Sequence, residues 1–266
     1  MRTKALLKEK TLVETEVTEL ADAHCHLDLI EDQTIVANSI RDGIRTIITN
    51  GVDTKSNMRS LELADNKHVF AALGIDPEHA LLIEDEELNF NIKMIRSNAD
   101  KVIAIGEIGL DYKKAGNFNL VAKQRTVFEK FLELADSMNL PVCVHSRNAM
   151  DEILSIVKDK GNKKVHLHFF EGNAQQAREI ERAGFMISVP PVESAKRMRA
   201  IKDIAIDNIM AESDSPVVGE SPASVRKSIE IIAAAKRLTF ESAAEAVTLN
   251  TKRFFGTSSK SGLMRS

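Results

Sequence analysis

The run ADAHCH at residues 21–26 alternates small or apolar residues with polar ones and ends in two histidines spaced two apart. Successive side chains of a β-strand point to opposite faces, so Asp22, His24 and His26 share one face and Cys25 takes the other. Seven more short runs rich in apolar and β-branched residues follow: TIITNG at 46–51, HVFAALG at 68–74, KVIAIGEIG at 101–109, LPVCVHS at 140–146, KKVHLHFF at 163–170, GFMISVP at 184–190 and DNIMAESDSP at 207–216. Between them the apolar period lengthens to that of a helix. In QRTVFEKFLELADSMN, for example, Val127, Phe128, Phe131, Leu132 and Leu134 fall on one stripe. Eight strands, seven intervening helical segments and a last helix around 224–237 predict an α/β chain of repeated βα units, closed into a single (β/α)8 TIM-type barrel. A length of 266 residues suits that barrel, which typically takes about 250. The barrel is expected over residues 1–256, with 1–19 as an N-terminal lead-in and 257–266 as a disordered tail.

Composition narrows the function classes. A hydrophobic share of 43% beside 28% charged residues is that of a soluble globular protein, and no apolar run approaches the ~20 residues that cross a bilayer. No membrane association is expected. The opening MRTKALLKEKTLVETE carries charges throughout and lacks the apolar core of a secretory signal, which predicts a cytoplasmic protein. Cys25 and Cys143 lie inside apolar runs, away from disulfide or zinc-ribbon spacing, and read as small core residues. A net charge of −3 argues against a broad basic surface for nucleic acid, and no obligate protein partner is evident.

Barrels of this kind carry their active sites at the C-terminal ends of the strands. The ionisable residues follow that rule: His24 and His26 on the first run, Glu107 near the end of the fourth, His145 ending the fifth, His168 near the end of the sixth and Asp214 near the end of the eighth. Six imidazole and carboxylate groups from five strands therefore converge at one end. Burying them together is costly unless they coordinate cations. Nitrogen and oxygen donors without thiolate suit Zn²⁺, Mn²⁺, Fe²⁺ or Mg²⁺, and the set is large enough for two divalent ions bridged by a carboxylate. Asp22 and Glu212 share the inward faces one layer deeper, where a carboxylate can fix a ligand imidazole. His166 reads as a core or supporting residue, His68 at the opposite end as structural, and the KRMR run at 196–199 as a solvated helix face.

The segments DAHCHLD, AIGEIGLDY, PVCVHSRNA, HFFEG and ESDSP resemble, in order, the motifs of the TatD-type metal-dependent deoxyribonucleases, a branch of the amidohydrolase-like barrels. The resemblance runs from Ala21 to Phe255. It implies that His24, His26, Glu107 and Asp214 hold one metal, that Glu107, His145 and His168 hold the other, and that the activity is phosphodiester hydrolysis, mostly on DNA. Two positions depart from the pattern. Gly74-Ile75-Asp76-Pro77 stands where the family has Gly-x-His-Pro, with His79 displaced by two, and Ser215-Pro216 runs through VVGESPASV into a helix where the family carries a long basic loop.

Glu107 and Asp214 are the candidate catalytic groups. Asp214 either orients the attacking water and accepts its proton or serves as a ligand alone. Arg147, in the HSRNA turn, can grip two phosphate oxygens with its planar fork. Tyr112 and Lys113, with Lys114, lie just beyond Glu107 and are placed to line a substrate cleft, although packing accounts for Tyr112 nearly as well. The chain is slightly acidic and lacks the long basic loop, so phosphate contacts are scarce, and with no Trp, one Tyr and eleven Phe mostly in apolar helical positions, stacking platforms are scarce too. DNA ends or short oligonucleotides are therefore the expected substrate. Two other readings compete: an amidohydrolase-like enzyme cleaving a C–N or carboxylic-ester bond, and a non-catalytic binding scaffold, which a missing ligand would have signalled.

Overall fold

In the computed structural model, which describes residues 19–257, the eight expected strands are all present. They are β1 (Leu20–Cys25), β2 (Ile44–Asn50), β3 (Val69–Leu73), β4 (Val102–Asp111), β5 (Val142–Arg147), β6 (Val165–Leu167), β7 (Met186–Val189) and β8 (Ile209–Ala211). Each pairs in parallel with the next in sequence. The helices between and after them are α1 (Gln33–Arg41), α2 (Thr54–Leu63), α3 (Pro77–Ala80), α4 (Asp85–Ser97), α5 (Tyr112–Ala115), α6 (Phe118–Met138), α7 (Met150–Asp159), α8 (Ala174–Arg182), α9 (Ala195–Ile201), α10 (Val225–Lys236) and α11 (Phe240–Phe255). The ends of the sheet meet where Asp214 N donates to His24 O at 3.0 Å and His26 N donates to Ser215 O at 2.7 Å. This is the expected (β/α)8 barrel. The lead-in lies outside the described residues except for Glu19, as does the tail beyond Thr257.

Strand alternation sorts the core into two clusters. Outward residues such as Ile47, Leu73, Val144 and Leu167 pack with Phe128 and Phe131 of α6 in the layer between strands and helices, and Cys25 belongs to this layer. The other faces, including Ile48, Phe70, Ile103, Cys143 and Met210, form a smaller cluster with Phe255, against which Phe254 packs. Both cysteines are buried and free, as expected. Helix starts are fixed locally: Asp53 accepts from Ser56 N at 2.7 Å at the head of α2, and Asn173 closes a capping box at α8. Among the described residues, no helix is long and apolar enough to cross a membrane.

The runs and the strands differ at their ends. Of DNIMAESDSP only Ile209–Ala211 is strand, and of KKVHLHFF only Val165–Leu167. The chain then leaves the ladder, and Phe169 (φ 45°) and Asp214 (φ 47°) take left-handed conformations that turn it over the mouth. His26 likewise follows the last residue of β1. Two helices, not one, come after β8. α11 buries Ala243, Ala244 and Val247, and Asn250 Nδ2 donates to Ile206 O and Ile209 O at 2.9 and 2.8 Å. The rings of Phe254 and Phe255 stand edge-on to His166, with centroids 6.1 and 6.0 Å away.

Candidate metal centre

Glu107 lies buried at the centre of the cluster, with its two oxygens facing different histidines. Oε2 lies 3.3 Å from His24 Nε2 and 3.5 Å from His26 Nε2. Oε1 lies 2.9 Å from His145 Nδ1 and 3.1 Å from His168 Nε2. Asp214 Oδ1 joins the first pair, 3.8 Å from His24 Nε2 and 3.5 Å from His26 Nε2. All six residues proposed from the sequence thus come together, in two groups that share Glu107. Among the described residues, Glu107 and Asp214 pair with imidazoles and with no lysine or arginine. Neutral imidazole nitrogens and carboxylate oxygens, tightly clustered and mostly buried, are the donor set that borderline and hard divalent cations take. The residues fit the ions that the sequence implies.

The electrostatics follow from burial and mutual attraction. Burial pushes Glu107 up, but the charge and hydrogen bonds of His168, His145 and His24 outweigh it and hold the carboxyl well below its ordinary value. For His26, burial opposes protonation, yet Asp214 and Glu107 raise it to about 9. Asp111 and Glu107 raise His145 in the same way to about 10. Burial, reinforced by the charge of His168, lowers His24 to about 4. Protons on His26 and His145 do what a cation would do, and metal binding would displace them.

Surrounding groups aim the ligands. His26 Nδ1 donates to Asn50 O at 3.0 Å, which leaves its Nε2 lone pair facing Glu107 and Asp214. Asp22 accepts from Ser213 N at 2.8 Å and Ser213 Oγ at 2.5 Å, so it ties β1 to the turn that carries Asp214. Glu212 accepts from Phe169 N at 2.7 Å and Ser188 Oγ at 2.6 Å, and lies 3.8 Å from His168 Nδ1. His166 Nε2 donates to Ser188 Oγ at 2.6 Å, a supporting place as expected. His68 Nδ1 donates to Arg45 O at 3.1 Å, away from the cluster.

Sequence reasoning missed two residues. Asp111 caps α5 and places Oδ2 3.5 Å from His145 Nε2 and 3.9 Å from Arg147 Nη1. Its signal was available: two-residue alternation from Glu107 through Gly109 puts it on the same face. The other is Arg197: Lys196 and Arg199 are exposed, as the solvated-face reading of KRMR expects, but at Arg197 that reading is corrected. Arg197 is 2% exposed, donates from Nε to Phe170 O at 2.6 Å and from Nη1 to Val192 O at 2.7 Å, and sits 5.2 Å from the Phe169 ring centroid. A charge at that position reads as solvent-facing because only the fold reveals two carbonyls at the strand ends awaiting a donor. Arg197→Met is expected to cost about 1–3 kcal/mol in urea unfolding, because both carbonyls lose their donor. A cost near zero would mean that water replaces it.

A TatD related DNase description matches residues 21–256 of the chain. The chain belongs to this family. Human deoxyribonuclease TATDN3 is 30% identical over 258 residues, spanning 89% of this chain and 94% of its own. An uncharacterized metal-dependent hydrolase of Bacillus subtilis, YabD, is 31% identical over 255 residues, covering 89% and 98%. The crystal structure of YJJV, a TatD homologue from Escherichia coli K12, superposes with a TM-score of 0.82 at 25% identity, covering 90% and 99%. The protein is a TatD-family metal-dependent hydrolase.

Where this TatD-family chain departs from the pattern, the structure gives each change a place. Asp76 caps α3, accepting from His79 N at 2.7 Å, and pairs with His79 Nδ1 at 2.7 Å. Its hydrogen bond, despite some burial, raises His79 above the ordinary imidazole value. Beyond Asp214 the short loop folds back, with Val218 N donating to Asp214 O at 2.8 Å, and it sets Val217 and Val218 on the rim. The cavity over the cluster measures about 520 Å³. Arg147 lines it, and so do Asp76, Glu78 and Glu171. Lys114 is paired with Glu78 at 2.8 Å. Tyr112 donates to Glu152 and lines a neighbouring cavity instead, while Lys113 is exposed and lines neither.

Proposed function

We propose that the chain is a two-metal phosphodiesterase that hydrolyses DNA at chain ends or in short oligonucleotides. The arrangement of Glu107 carries this reading, with one oxygen turned to His24 and His26 and the other to His145 and His168. A carboxylate so shared suits two divalent ions, Zn²⁺, Mg²⁺ or Mn²⁺, with His24, His26 and Asp214 completing one set and His145 and His168 the other. Such ions supply the charge that activates a water and stabilises the oxygens of an in-line displacement. Human TATDN3, which carries the name deoxyribonuclease, adds DNA as the substrate class.

The chain's own groups do the rest. Asp214 is held ionised because the hydrogen bond with His26 and the charges of His24 and His168 overcome the effect of burial, so it can accept the proton of the attacking water. Arg147 reaches into the cavity and grips non-bridging phosphate oxygens. Asp111, 3.9 Å from Arg147 Nη1, restrains that guanidinium. Lys113 adds charge to the approach rather than a contact. Asp76, Glu78 and Glu171 line the same cavity, which disfavours a long polyanion threading across it.

Those carboxylates also favour the second reading, hydrolysis of a C–N or carboxylic-ester bond in a substrate with little negative charge. Metal-stripped protein reloaded with Mg²⁺, Mn²⁺, Zn²⁺ or Co²⁺ and offered DNA, RNA, amides and lactones separates the two. Turnover of an amide or lactone with none of DNA would replace the phosphodiesterase reading. On DNA, linear oligonucleotides are expected to be trimmed and closed circles spared. The salt dependence should be shallow, with a log–log slope of about −0.7 to −2, because one to about three phosphates are held. Rapid internal cutting of the circle would show that the mouth admits continuous strand.

A further inference from the structure

Beside the metal cavity lies a second cavity of about 530 Å³, and Ser146 and Glu171 line both. The end of β5 divides the two spaces residue by residue. His145 joins the cluster, Ser146 stands in the common wall, Arg147 lines the metal cavity and Asn148 lines only the second. A phosphate gripped by Arg147 therefore has its attached nucleoside within reach of the second space.

The chemistry of that wall selects the occupant. Among the lining residues, Asp151, Glu152 and Glu171 stand against one ammonium, that of Lys196, which already donates to Glu171 O at 2.6 Å, while Arg125 Nη1, outside the lining, lies 3.5 Å from Glu152 Oε1. A second phosphate would be repelled there. Tyr112, Ala149 and Met150 supply apolar surface. Asn148 is exposed and held at φ 57°. Two walls are fastened in advance: Tyr112 donates to Glu152, and Gln176 Nε2 donates to Asp151 Oδ1 at 2.7 Å. Apolar faces beside a few polar groups, in a volume within the usual ~300–1,000 Å³ of small-molecule sites, suit a flat, neutral ring with a hydrogen-bonding edge.

We propose that the second cavity binds the nucleobase next to the scissile phosphate, with Asn148 reading its edge. The proposal rests on the phosphodiesterase reading, so the experiment separates the two. Metal-loaded protein is given dithymidine monophosphate and the same phosphodiester with an abasic residue on either side. Wild type is expected to prefer the intact dinucleotide by about 10- to 100-fold in kcat/KM, the range that base stacking on side chains supplies. Asn148→Gly accepts the left-handed backbone and removes only the side chain, and it should lower that preference about tenfold through the lost hydrogen bond. A wild-type preference near one, or a preference unchanged in Asn148→Gly, overturns the proposal. If wild type cleaves neither substrate, the phosphodiesterase reading fails, and the cavity is judged by saturation-transfer NMR with thymidine alone. Transfer to the base protons that Asn148→Gly abolishes supports the site, and its absence from wild type overturns it.

Discussion

Glu107→Gln is expected to abolish metal-dependent turnover more completely than the loss of any one histidine of the cluster. A histidine serves one ligand group, whereas Glu107 touches both, with Oε2 3.3 Å from His24 Nε2 and Oε1 2.9 Å from His145 Nδ1. The amide keeps the shape, but it removes the negative charge and turns an NH₂ toward one of the two groups. Several kcal/mol of transition-state charge stabilisation rests on the ions, so kcat should fall by about 10³-fold or more at saturating metal. His24→Ala leaves the His145 and His168 side intact and should retain measurable activity at high metal concentration. Steady-state rates on a linear oligonucleotide, with metal content by mass spectrometry, check both. Near-wild-type turnover by Glu107→Gln beside an inactive His24→Ala would remove the bridging role.

Gly109→Ala should be the most damaging single methyl in the barrel. Gly109 stands opposite His145 in the β4–β5 ladder and has φ +146°, a conformation that side chains rarely adopt. A Cβ there would meet His145 O at 2.1 Å, His145 C at 2.9 Å and His145 N at 3.0 Å. The atoms in the way are backbone, so β5 itself must move. Overpacking and backbone strain together should cost about 3 kcal/mol or more, a Tm loss on the order of 10 °C for a domain of this size. His145 moves with its strand, so on the proposed two-metal reading bound metal should drop from two ions toward one, with the His24 and His26 side retained. A variant with wild-type Tm and full metal content would show that the strands separate more freely than their contact suggests.

The sequence made the barrel legible because its signals are local. Each run from ADAHCH to DNIMAESDSP reports through alternation which face it buries, and the position of a histidine at the end of a run places it at the mouth without knowledge of any partner. Both cysteines were readable as core for the same reason. The end of the chain was less legible. The notion of one helix after the eighth strand left out α11, whose buried residues meet the barrel's inner cluster and His166. Its small residues, Ala243 and Ala244 among them, make a weak stripe, and its contact surface exists only once the strands have closed.

Residue types and spacing therefore determined the architecture and the membership of the six-residue cluster, since strand-end position and side-chain chemistry are properties of short segments. Only the tertiary structure decided how that cluster divides around Glu107. Glu107 and His168 are 61 residues apart, and their 3.1 Å contact depends on the pairing of β4 with β5 and of β5 with β6, while closure through Asp214 N to His24 O and His26 N to Ser215 O brings Asp214 beside the two histidines of the first run. Packing between neighbouring elements also decided that Arg197 turns inward to two carbonyls, that Asp111 comes to lie against His145, and that Tyr112 lines the neighbouring space rather than the metal cavity. Each of these depends on what a distant strand or loop presents at a few ångströms. No local pattern encodes that, because hydrogen bonds and ion pairs are decided by distance in space, not by separation along the chain.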